Sequence, residues 1–264
     1  MRYYLSAFVC FLFISFKIQA QDTEEDYELK GNEKPGFIVN KKGQKLEGIV
    51  KLANPQSPWV NQKYVKFIAL DEIDNAKKKQ KFKKMDADDI KEFMAYDGDR
   101  QRHFEIIKYT NFKEGINTAN GGLSGGLKTL KNMTTSDHLA EKVLEGKIEV
   151  YILYGYPTSF AAGNEQIKNM EEETERLRNY PSFIYSKDGS KLKEFKYKDV
   201  PEIVSDCKVV KSKLENGEYL SYPKDEKEKK SKLGKLIKNE ISDALSNKMA
   251  IVTEMYTDYN ISCK

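Results

Sequence analysis

The chain has 264 residues, with 45 Lys and Arg against 41 Asp and Glu and a formal net charge of +4. That near balance argues for a solvated, mixed surface and against a nucleic-acid or anionic-lipid footprint, which needs a concentrated excess of one sign. Only 2 His and 3 Cys are present, which leaves little material for zinc sites or His-dependent nucleophiles.

Residues 1–20 read as a secretory signal peptide. Met1-Arg2 is a short positive start, Tyr3 to Phe16 is almost entirely apolar, and Ala20 offers a small residue before Gln21. The apolar run is short of the ~20 residues a spanning helix needs. The mature chain is therefore expected to start at Gln21, to carry no transmembrane segment, and to reside in the periplasm, at the cell surface or outside the cell rather than in the cytoplasm.

Cleavage removes Cys10 and leaves Cys207 and Cys263. Val9 before Cys10 does not suit a lipoprotein signal. Two cysteines in an oxidising compartment suggest one disulfide. The alternative is a pair of reduced, buried thiols.

Residues 21–35 are polar and acidic and read as a disordered leader. From 36 to 112 the pattern predicts a small, mostly antiparallel β module. It opens with a hairpin, Phe37–Val39 and Leu46–Leu52 about the turn Lys41–Gln44, followed by a strand over Tyr64–Leu70. Asp71–Lys84 is a charged connector with a lysine run. Asp86–Tyr96 is expected to begin as a helical turn, because Ile90 and Phe93 lie three apart, and to end as a strand. Asp97-Gly98-Asp99 is a turn, and His103–Tyr109 alternates as a strand with Phe104 and Ile106 on one face.

Residues 113–136 are rich in Gly, Asn and Ser and read as a flexible loop. The remainder, 137–264, is expected to be a mixed strand and helix part. Asp137 would cap a short helix over His138–Leu144, and Lys147–Tyr154 is a clear strand. Glu165–Arg178 is a charged helix, and Phe183–Leu192 forms a second hairpin. That hairpin matches the first at half of its positions (37–48 against 183–194), which short Lys-x-Gly turns explain without duplication. Val200–Leu214 is helical and stops at Asn216-Gly217. Lys224–Lys235 is a charged linker. Leu233, Ile237, Ile241 and Leu245 then recur every four residues, one face of a C-terminal amphipathic helix continued by Met249, Val252, Met255 and Tyr256. The fold class expected is α+β.

Recognisable chemistry is sparse. His103 and His138 have no Cys or His at ligand spacing. Gly121–Thr129 has the glycines of a phosphate loop, but Leu127 stands where that loop needs Lys. Asp86–Asp89 and Asp97–Asp99 lack the alternation of a calcium loop and suit turns and caps. No catalytic residue, cofactor or metal ligand set is expected.

The GFIV and GQKLEGIV hairpin (36–50), the strand Tyr64–Phe67, the run Val143–Tyr151, Asp206-Cys207 and the closing Tyr259-Asn260 together resemble a group of exported proteins of Bacteroidetes bacteria with no established activity. The resemblance implies a bacterial envelope or secreted protein of α+β build. The expected function is a non-enzymatic module that binds an envelope protein or a glycan. The alternative is a hydrolase using carboxylates in a cleft between the β and helical parts.

Overall fold

The computed structural model describes residues 27–77, 79–110, 136–157, 164–222 and 244–263. The signal peptide and its cleavage point, most of the leader, residues 113–135 of the expected loop and the linker expected at 224–235 lie outside them. So do the glycine-rich Gly121–Thr129 segment and the amphipathic repeat at Leu233–Ile241.

The strands are β1 Glu33–Asn40, β2 Lys45–Lys51, β3 Tyr64–Ala69, β4 Lys83–Asp86, β5 Ile90–Asp97, β6 Arg100–Tyr109, β7 Ser136–Leu144, β8 Ile148–Leu153, β9 Ser182–Lys187 and β10 Lys193–Glu194. The helices are α1 Asn164–Asn179, α2 Val200–Ile203, α3 Lys208–Asn216, α4 Leu245–Ile251 and α5 Thr257–Ser262. A π turn over Val252–Tyr256 joins the last two, and Pro58–Gln62 is a 3-10 turn. The fold is α+β, as its sequence suggests.

All the strands belong to one antiparallel sheet, ordered β10-β9-β8-β7-β6-β5-β1-β2-β3-β4. The β module and the mixed part are thus not separate sheets. β6 and β7 pair over seven positions, from His103 with Lys142 to Tyr109 with Ser136.

One face of this sheet is the inner face. Over β1–β7 it buries Ile38, Val50, Val65, Phe67, Ile90, Phe93, Phe104 and Leu139 against one another, and Phe93 stacks on Phe104 with ring centres 4.4 Å apart. Among the described residues no helical side chain is in that cluster. Over β8 and β9 the same face carries Ile148, Val150, Ile152 and Phe183 beneath Val200, Val210, Ile251, Met255 and Tyr256 of the helices. Each such side chain removed from water contributes about 1.5–3 kcal/mol. The outer face buries a smaller set, Ile107, Ala140, Tyr151, Leu153 and Ile184.

Four sequence expectations are corrected. The leader ends sooner than residue 35, because β1 begins at Glu33, whose carboxylate accepts the Tyr27 hydroxyl at 2.8 Å and the Lys30 N–H at 3.1 Å. Ile90–Tyr96 contains no helical turn. Asn40 pairs with Ile90 while Val39 pairs with Glu92, so Lys91 is an extra residue in β5. That bulge puts Ile90 and Phe93 on the same face, which mimics helical spacing. His138–Leu144 is a strand, not a capped helix. Leu139 is buried on the inner face and Ala140 on the outer, and β6 and β8 flank it with hydrogen-bonding edges, a context that overrides local propensity. The single helix expected over 200–214 is broken at 204–207 into α2 and α3. Its C-terminal stop is as expected, with Gly217 left-handed at φ 74°.

Candidate functional site

The site begins where two neighbouring strands part. The β7–β8 ladder ends at Glu141 with Ile152. Beyond it β8 parts from β7, while Leu153 still pairs with Ser182 of β9, and the 3-10 turn Pro58–Gln62 packs there. Pro58 sits in its first turn, where a missing N–H costs nothing. Trp59 goes into the helical core. The buried Gln62 side chain donates to the Tyr154 carbonyl at 3.0 Å and accepts the Tyr154 N–H. A single carboxamide thus replaces the missing β7 partner for this backbone unit.

The gap so formed is a cleft of about 390 Å³. Its floor is Gln62 and His138. Its walls are Lys63 and Tyr156 on one side, Asp86 and Asp88 at the β4–β5 turn, and Asp137 at the start of β7. The Lys63 ammonium stands 3.9 Å from the centre of the Tyr156 ring, and the Tyr156 hydroxyl accepts from Gln62 at 3.3 Å. Asp86 takes the Asp88 N–H at 3.0 Å, and its own N–H goes to Asp89 at 3.0 Å. The acidic run is therefore a self-capped turn, as its composition suggests. The His138 Nε2 is 3.2 Å from the Tyr109 carbonyl, which makes it the donor in that bond. Burial pushes the imidazole below its usual pKa, so the ring is neutral near pH 7. Among the described residues no group of three or more His, Cys, Asp or Glu is placed to hold a metal ion.

Below the cleft lies a buried ion pair. Arg102 meets both oxygens of Glu141, at 2.8 and 2.7 Å. The Tyr154 hydroxyl beside them is pushed up to about 12, by burial first and then by the Glu141 charge. A fork of this kind orients two strands and holds its charges out of water together.

The two histidines do not meet. His138 is opposite Ile107 and His103 opposite Lys142, four residues farther along the same ladder. His103 contacts Glu92 at 3.0 Å on the outer face. Nearby, the Lys142 ammonium reaches Glu105 at 2.6 Å and Glu149 at 3.3 Å. Cys207 and Cys263, expected as a pair, do come together at disulfide distance with Cα atoms 5.8 Å apart. Cys207 precedes α3 and Cys263 follows α5, so the pair joins the last helix to the helix after the second hairpin. Gln62, Lys63 and Tyr156 carry no motif in sequence.

No family model, curated protein or solved structure matches the chain. Among the described residues no helix is long and apolar enough to cross a membrane.

Proposed function

We propose that this is an exported binding module of the cell envelope or the medium, related to the exported Bacteroidetes group it resembles, and that the cleft at Gln62 and His138 takes its ligand. The observation that supports this reading is that four of the cleft's polar side chains are already held. Gln62 is bonded to Tyr154, Lys63 lies on Tyr156, His138 is bonded to Tyr109 and Asp86 to its own turn. Fixed polar walls lower the ordering cost of recognition. Asp86, Asp88 and Asp137 outnumber the one lysine, so the cleft favours a basic or hydroxyl-rich group, from a protein or a glycan. The cysteine pair at disulfide distance suits an oxidising compartment.

The experiment is titration of the mature chain with neutral oligosaccharides and basic peptides, followed by NMR shifts of residues 62, 88, 137 and 156. Binding that moves these signals and weakens about tenfold in Asp137→Asn supports the reading. Saturation with shifts elsewhere only would overturn it. The same three carboxylates favour a second reading, a carboxylate hydrolase. Turnover of a bound ligand, lost in Asp137→Asn with binding retained, would select it.

A further inference from the structure

The pairing register of β2, β3 and β4 builds a feature that composition hides. Lys51 is directly opposite Lys66, and Lys66 is directly opposite Lys84. Paired residues project from the same face, so the three ammonium groups form a row across the outer face. The other set of side chains on these strands, Val50, Val65 and Phe67, points into the core. Like charges placed opposite each other destabilise a sheet, and this row holds three in succession.

The row is compensated only at its ends. Lys51 reaches Glu33 at 2.9 Å and lies 5.2 Å from the Phe82 ring. Lys84 lies 4.6 Å from the Tyr64 ring. The middle lysine, Lys66, is exposed, and among the described residues it has no hydrogen bond, ion pair or ring contact. Beside it is a depression of about 330 Å³, lined by Lys51, Lys66 and Tyr64 together with Asn54, Ser57 and Asn61. Asn61 accepts the Ala53 N–H at 2.8 Å and Asn54 accepts the Gln56 N–H at 2.9 Å, which fixes the orientation of both amides.

We propose that this outer face of β2–β4 binds an anionic saccharide, with Lys51, Lys66 and Lys84 taking successive acidic groups. Strands lie ~4.8 Å apart, so the row presents one cation per strand along a line that crosses the sheet. Nucleic acid needs rings on which to stack bases, and Phe82 and Tyr64 are each faced by a lysine. The amides and hydroxyl of the depression suit sugar hydroxyls. This site is separate from the acidic cleft, whose lining shares no residue with it.

The test is calorimetric titration of the mature chain with an oligogalacturonate of defined length, carrying one carboxylate per sugar, beside a neutral malto-oligosaccharide of equal length. The expected result is uronate binding that is weakened about tenfold by Lys66→Gln and unchanged by Asp137→Asn, while any binding of the neutral chain at the cleft is untouched by Lys66→Gln. Lys66 is exposed, so the variant should fold, and its thermal transition checks that it does. Four results would overturn the proposal: no uronate binding at millimolar concentration, neutral-chain binding that Lys66→Gln weakens equally, unchanged uronate affinity in Lys66→Gln, or tighter binding of an acidic peptide, single-stranded DNA or anionic vesicles.

Discussion

The side chain of Asn260 takes both backbone groups of Ile148: its oxygen accepts the Ile148 N–H at 2.8 Å, and its nitrogen donates to the Ile148 carbonyl at 2.8 Å. The same nitrogen reaches the Glu145 carbonyl at 3.0 Å. Gln62 does the equivalent for Tyr154 at the other end of the strand. β8 is thus held at both ends by carboxamides from distant parts of the chain. Gly146 makes room for the first of these. It sits at φ +137°, and a Cβ there would lie 2.6 Å from the Asn260 side-chain nitrogen. Asn260→Ala should cost about 2 kcal/mol, because it strands backbone groups of Ile148. Gly146→Ala should cost a similar amount, and the double variant less than the sum. Urea unfolding of the three proteins measures this.

Gln62→Ala should open the other end of β8 locally. The Tyr154 amide loses its acceptor, while Ile152 keeps its ladder partner across β7. Hydrogen exchange should therefore speed at Tyr154 and stay slow at Ile152. Equal acceleration of both would mean that Gln62 supports the whole strand.

The mature protein should contain no free thiol under denaturing, non-reducing conditions. Cys207 and Cys263 are 56 residues apart in sequence, and closing such a loop stabilises by about 4 kcal/mol in the chain-entropy model. Cys263→Ser should lower the unfolding midpoint by part of this. The loss is cushioned because Lys213 and Tyr219 also hold the last helix, through Asp258 at 2.7 and 2.6 Å.

Stability should fall as the pH drops below about 6.5. Burial lowers the His138 pKa from 6.5 in the folded state, so below that value the unfolded chain binds a proton that the native site resists. The stability held above pH 6.5 is then lost as the pH falls toward the folded value. His138→Gln should flatten this part of the profile. The steeper loss below about pH 4.5, where the depressed carboxyls Glu33, Glu254 and Asp258 take up protons, should remain.

Lys66→Gln should raise stability by about 0.5 kcal/mol at low salt, since it removes the middle charge of a like-charged row. High salt should erase the difference by screening. Thermal unfolding at two ionic strengths decides it.

Elements with local signals were legible in the sequence. The hairpin of β1 and β2 follows from alternation about a Gly turn, and β8 from apolar residues spaced by two. The stop of α3 follows from Asn216-Gly217. The pairing of Cys207 with Cys263 followed from counting and compartment, not from geometry. Where a local signal had two readings, the wrong one was sometimes favoured: Ile90 and Phe93 imitate a helix because a bulge sets them three apart, and the 138–144 run is a strand because strands flank it on both sides.

The rest depends on contacts between distant parts of the chain. That the two halves share one sheet depends on β6 pairing with β7 across residues 111–135. The cleft depends on Gln62 meeting Tyr154, 92 residues away. The lysine row depends on register, and a slip of β3 by one residue would turn Lys66 into the core. Local sequence sets backbone propensity and the alternation of faces. It carries no information about which distant edge satisfies a given backbone group, and at these sites that pairing places the polar side chains.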